Sequence, residues 1–212
     1  VMLKIKLSIV SIFMLSLLVL SCKPKGTTNA ISGNAAQKTY VAPGKYDEFY
    51  NFVSGGFSGQ LSVYGLPSGR LLRVIPVFSV DPEKGWGYSE ETKPMLNTSH
   101  GFVPWDDLHH VEMSMTDGMP DGKWVFVNGN NTPRLARVDL KTFRTAEIIE
   151  LPNSAGNHSS PFGTENSEYI VAGTRFSVPG DYQPGDVPIE TYQDNFKGHI
   201  SFVSVDKNSG NM

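Results

Sequence analysis

The sequence predicts an all-β protein, part of a β-propeller, and three observations carry that expectation. Short runs alternate polar with apolar residues, Gly/Pro/Asp turn chemistry separates them, and one strand–turn–strand figure repeats along the chain. Gln60-Leu-Ser-Val-Tyr-Gly65, the turn Leu66-Pro-Ser-Gly69 and the run Leu71 to Phe78 form the first copy. Arg134-Leu-Ala-Arg-Val-Asp139, a turn through Lys141-Thr-Phe, and Ala146 to Leu151 form the second. His199 to Asp206 followed by Lys207-Asn-Ser-Gly210 begins a third. Further strands are expected between these hairpins at Lys123 to Asn128 and Glu168 to Ala172, so each copy holds several antiparallel strands and the chain amounts to two to three blades.

The elements in order begin with a targeting segment at residues 1–22. Lys4 and Lys6 precede the apolar run Leu7 to Leu20, which is short for a membrane span and suits the core of a signal peptide. Val19-Leu20-Ser21-Cys22 closes it and resembles a bacterial lipoprotein signal, in which the cysteine becomes the lipidated first residue of the mature chain. A plain secretory signal cut nearby is the alternative, and either one places the product outside the cytoplasm. Residues 23–44 hold too few apolar residues to pack and read as a flexible tether.

Residues 45–212 then form the partial propeller, with no long segment of helical apolar periodicity. The repeated turns lie roughly 70 residues apart, more than a minimal blade of about 40 to 50 needs, so insertions are expected. Ser177 to Asp194, with three prolines and few aliphatics, is the obvious one. Charge excludes more than it suggests. A net charge of −3 without a basic stripe argues against nucleic acid, and the single cysteine rules out an internal disulfide or an all-cysteine metal site.

The chemistry concentrates at His109 and His110. Neighbouring side chains on a regular strand point to opposite faces, so two consecutive imidazoles serve one site only from a strand mouth or an irregular segment. Imidazole suits copper, zinc, iron or nickel, and Asp107 is placed to back one ring with a carboxylate. On their own the two histidines also fit a surface loop. The repeat adds weight, because the next blade opens on Gly156-Asn-His158-Ser-Ser-Pro-Phe162, again a Gly-rich loop, a histidine and then a strand.

From Lys45 onward the motifs resemble nitrous oxide reductase in its N-terminal propeller portion. The resemblance rests on Tyr46 to Gly56, Arg73-Val-Ile-Pro-Val-Phe78 leading to Gly85-Trp-Gly87, the His-His stretch with Ser114 to Gly118 and Asp121-Gly-Lys123, and Arg134 to Asp139, all in the family's order. It implies a seven-bladed propeller holding a tetranuclear, sulfide-bridged copper cluster on seven histidines, followed by a cupredoxin domain with a dinuclear copper centre. By position, His109 and His110 match the paired cluster ligands, His158 the third and Asp107 a carboxylate behind them. Val111, the loop Asn128 to Pro133 and the serine after His158 depart from the family pattern. His100 and His199 match no ligand. The signal lacks a twin-arginine pair and resembles the branch exported unfolded.

The activity so implied is reduction of nitrous oxide to dinitrogen and water in the periplasm, as the final step of denitrification. The expected partners are a second copy in a homodimer, a small electron-donor protein such as a cytochrome or cupredoxin, and the membrane through a lipid on Cys22 alone. Calcium has room in the part beyond Met212. Three ligands do not complete a seven-histidine cluster, so this chain is expected to be an inactive part of one about three times longer. A lipid-anchored propeller that binds a protein or sugar without catalysis is the alternative. A zinc hydrolase is disfavoured, since no His-Glu-x-x-His helix occurs.

Overall fold

A computed structural model describes residues 34–152, 154, 156–175 and 189–212. The signal segment with Cys22, residues 23–33 of the tether and most of the expected insertion lie outside the described residues. At 34–40 the sequence anticipates no element, yet Ala35–Thr39 forms a five-residue helix, α1, with no buried side chain. Its paired alanines and Gln-Lys are good helix formers, which accounts for the local turn.

From Val41 on, the chain forms a separate compact unit of antiparallel strands. The first sheet is β1 (Phe49–Ser54), β2 (Gln60–Leu66) and β3 (Leu71–Pro76), paired in that order. A small hairpin follows, β4 (Asn97–Thr98) with β5 (Gly101–Phe102). The second sheet is a four-stranded meander of β6 (Leu108–Thr116), β7 (Met119–Gly129), β8 (Arg134–Asp139) and β9 (Arg144–Glu150). The third holds β10 (Ser159–Gly163), β11 (Tyr169–Gly173) and β12 (Ile200–Ser204), with the short helix α2 (Tyr192–Asn195) inside the β11–β12 connection. Among the described residues these three antiparallel sheets and the β4–β5 hairpin, none closed on itself, make a partial all-β propeller.

The second and third copies read from sequence take equivalent places in their sheets, whereas the first, Gln60–Leu66 with Leu71–Pro76, supplies the second and third strands of its sheet. Arg134–Asp139 and the Ile200–Asp206 segment are both third strands, and each ends in an aspartate that caps its turn. Asp139 Oδ1 accepts from the Thr142 N–H at 2.7 Å, and Asp206 Oδ1 accepts from the Asn208 and Ser209 N–H groups at 3.0 and 2.8 Å. The Asp206 turn lies on the second sheet. Gly210 has φ +76°, and a Cβ there would meet the Trp124 ring at 2.5 Å, so no larger residue closes this turn without moving the indole.

Packing explains why β7 reads as a continuous apolar run while β2 alternates. Val125 and Val127 bury one face of β7 against Leu61 and Val63 of β2 and against Ile75. Trp124 and Phe126, on the opposite face, pack with Ile170 of β11 and with Val205. The second sheet is thus covered on both sides, and a strand buried on both faces has no polar alternation to show. Between them the three sheets bring the first strands β6 and β10 into contact, and the residues of interest sit where those two strands start.

Candidate metal centre

The approach to β6 is fixed by a buried carboxylate. Asp106 has no exposed surface, and its oxygens accept from the N–H groups of Asp107, Asn131 and Thr132 at 2.7, 2.9 and 3.0 Å. The Thr132 hydroxyl donates to it as well. Arg134, 1% exposed, lies 3.5 Å from Asp106, donates through Nε to the Thr132 hydroxyl and through Nη1 and Nη2 to the Val103 and Trp105 carbonyls, and holds its guanidinium 4.9 Å over the Phe78 ring. These bonds clasp the lead into β6 against the β7–β8 turn. Gly129 leaves the space they occupy, since a Cβ there would stand 2.3 Å from Asp106 Oδ2.

The irregularity that two adjacent histidines require is present as a bulge. Leu108 pairs with Gly129 and Val111 pairs with Val127, so His109 and His110 together oppose Asn128 alone. The sequence reading placed the histidine pair ahead of the strand, whereas both lie inside β6, in its first residues. A bulge leaves a strand N–H without its ladder partner. Here the Asn128 side chain replaces it, its Oδ1 accepting from the His110 N–H at 2.7 Å.

His158 ends the loop that leads into β10, and the fold carries it to the histidine pair. The His109 and His158 Nε2 atoms lie 2.9 Å apart. Ring centroids are separated by 4.7 Å for His109–His110, 4.4 Å for His109–His158 and 5.1 Å for His110–His158. One nitrogen from each ring lies within 4.8 Å of the others, the only such cluster among the described residues. On the far side of His109, Nδ1 faces Asp107 Oδ2 at 3.5 Å. Asp107 is buried, and Asn130 Nδ2 donates to the same oxygen at 2.9 Å. His100 and His199 lie outside the cluster and are exposed.

The surroundings favour neutral rings at His110 and His158. Burial, then the neighbouring His109, holds His110 below the ordinary imidazole value. Burial, then His109 and Arg175, does the same for His158, with Asp107 acting in the opposite sense. Neutral imidazoles are the form that binds metal, and a carboxylate behind the second ring nitrogen is the usual companion of such a ligand. Two nitrogens bonded to one ion at about 2.0–2.1 Å stand roughly 3–3.5 Å apart, so the donor set fits a metal that prefers imidazole.

Sequence reasoning missed three groups here. Asn128 and Asn130 read as turn residues, and Arg175, whose Nη1 donates to Asn130 Oδ1 at 3.3 Å, belongs to the segment after β11. Asn157, 1% exposed beside His158, has a side-chain amide without a hydrogen-bond partner among the described residues.

No family model matches the chain. Individual proteins do. The nitrous-oxide reductase of Stutzerimonas stutzeri is 37% identical over 159 residues, which cover 74% of this chain and 24% of that protein. Those of Pseudomonas fluorescens and Cupriavidus necator are 37% and 36% identical over 184 and 167 residues, or 86% and 74% of this chain. This chain is a relative of the nitrous-oxide reductases. It spans about a quarter of the length of the curated relatives it matches. Those relatives are named for an oxidoreductase activity, and the three histidines are the group among the described residues of this chain that could hold a metal ion.

Proposed function

We propose that this chain contributes His109, His110 and His158 as ligands to a multinuclear, sulfide-bridged copper cluster at which nitrous oxide is reduced to dinitrogen and water. One observation carries the reading: in a relative of nitrous-oxide reductases, two imidazoles from the start of β6 and one from the loop entering β10 converge within 4.8 Å. Reduced copper, when bound, supplies electrons and a soft Lewis acid for a linear molecule that is itself a poor ligand. The balance is N2O plus two electrons and two protons giving N2 and H2O.

The chain's own residues prepare the donors. Asp107 accepts from His109 Nδ1–H in this reading, which fixes the tautomer and leaves Nε2 directed toward His158. Neutral His110 and His158 require no proton loss before they bind metal. The two asparagines hold the backbone that carries these rings.

The same reading places the protein outside the cytoplasm, acylated at Cys22, and working as a homodimer that takes electrons from a small donor protein through a dinuclear copper centre. The test compares the longer protein of which this chain is expected to be a part, wild-type and His158→Ala, each made in its exporting host, for copper content and for nitrous oxide consumption with a reduced viologen donor. Wild-type protein should turn over and the variant should not. Full copper content and turnover in His158→Ala would remove His158 from the site.

A further inference from the structure

One side chain joins the two segments that carry the histidines. Asn128 lies fully buried near the end of β7. Its Oδ1 accepts from the His110 N–H at 2.7 Å, and its Nδ2 donates to the Asn157 carbonyl. The bulge bearing His109 and His110 is thereby tied to the residue that immediately precedes His158. Asn130, two residues on, makes a parallel tie: its backbone N–H donates to the Asp107 carbonyl and its Nδ2 to the Asp107 carboxylate, both at 2.9 Å. Its Oδ1 in turn accepts from Arg175 beyond β11.

We propose that Asn128 is a positioning residue that holds the three imidazoles in one cup before any metal arrives, with Asn130 as the second tie. The inference rests on the copper reading for which metal is bound, and on the geometry alone for the strut itself.

The chemistry of the position is specific to asparagine. The bulge leaves the His110 N–H without a ladder partner, and a buried N–H left unpaired costs about 1–3 kcal/mol, so an acceptor is needed. The loop carbonyl of Asn157 needs a donor from the same place. A short primary amide offers both at once. Aspartate keeps the acceptor, lacks the donor, and sets a negative oxygen against the Asn157 carbonyl. Alanine loses both. Glutamine carries the amide one methylene too far for a gap already closed on both sides.

A preformed cup matters because ordering a loop costs free energy at the moment of binding. Each backbone residue fixed costs roughly 1–2 kcal/mol, and a ligand-bearing loop that orders only on metal binding loses that much affinity per residue. With Asn128 in place, that ordering belongs to folding, and the metal meets ligands already assembled. This explains why a residue that touches no imidazole nitrogen is buried at the centre of the site.

The experiment uses the full chain, metal-free, titrated anaerobically with cuprous ion against a competing chelator. Wild-type protein should bind one cuprous ion through three imidazole nitrogens by X-ray absorption. Asn128→Asp keeps the His109–His110 bulge and frees the His158 loop, so it should bind through two nitrogens with affinity lower by roughly tenfold to a hundredfold. Unchanged affinity and three nitrogens in that variant would overturn the strut and leave the copper reading standing. A wild-type chain that takes up no cuprous ion at the histidines would overturn the copper reading instead. In that event, and equally if the variant does not fold, the decision falls to the Asn128 side-chain amide of the wild-type metal-free chain. Its protons should be protected from solvent exchange, and exchange at the rate of a free amide would overturn the proposal.

Discussion

The Nε2 atoms of His109 and His158 stand 2.9 Å apart although 49 residues separate them in sequence. At that distance one ring nitrogen donates a proton and the other accepts it, and in the proposed copper site the metal would take the place of that contact. Replacing His109, His110 or His158 by alanine should therefore lower copper retention, read as copper per chain after gel filtration. His100→Ala and His199→Ala should leave copper bound, because both rings are exposed and lie outside the cluster. Loss of copper from all five variants alike would point to folding and away from ligation.

Asp107 acts through His109, whose Nδ1 lies 3.5 Å from its carboxylate. Asp107→Asn keeps the volume and removes the charge that fixes the tautomer. It should weaken copper binding by about tenfold to a hundredfold in a chelator competition, with the ligand count in the X-ray absorption spectrum unchanged. A fall in ligand number would show that Asp107 holds the loop and not the tautomer.

Acid should destabilise the metal-free chain earlier than carboxylate titration alone would. Burial, then His109, holds His110 and His158 below 6.5, so the unfolded chain takes up protons at these rings before the folded chain does. Stability that is whole above the unfolded value is then lost as pH falls through the folded one. The urea midpoint should decline as pH falls below the ordinary imidazole value of about 6.5, and His158→Ala should flatten that decline. A wild-type midpoint that stays level as pH falls below that value would contradict the assignment.

Much of the fold was legible because burial writes itself into period. Gln60–Leu66 alternates half-buried with buried side chains, and the sequence shows the same alternation. The continuous run at Trp124 to Val127 was legible as a strand for the opposite reason, since both of its faces are covered. The hairpin Asn97–Thr98 with Gly101–Phe102 was not, having two residues on each side and no part in either core. In the site, histidines announce themselves by residue type. Asn128 does not, because an asparagine ahead of glycine reads as turn chemistry, and its two hydrogen bonds reach 18 and 29 residues away. Nothing local in the sequence encodes partners at that range.

The proposed export carries its own prediction at Cys22, which lies outside the described residues. An apolar core followed by Ser21-Cys22 and a polar stretch should place the mature N-terminus at the cysteine with an acyl chain attached. Cys22→Ala should move the exported protein from the membrane fraction to the soluble one. Intact-mass measurement of the wild-type protein decides the point, since cleavage elsewhere without added lipid would exclude the anchor.

The Asp106–Arg134 pair should be the most sensitive structural position near the site. Both side chains are at most 1% exposed, and neither can find water if its partner is removed. Breaking a buried pair from one side leaves an uncompensated charge or an unmatched set of donors, which typically costs about 3–5 kcal/mol. Asp106→Ala should thus lower the urea midpoint far more than a substitution at exposed His100. Arg134→Leu should do the same, because the guanidinium also satisfies the Val103 and Trp105 carbonyls. The double variant removes both charges, so its loss should be smaller than the sum of the two single losses. Strict additivity would mean that the residues act separately, Asp106 as a cap for the β7–β8 turn and Arg134 as a cover over Phe78. In the coupled case the damage should also reach the copper site, since the Asp107 N–H bonded to Asp106 opens the segment that presents His109.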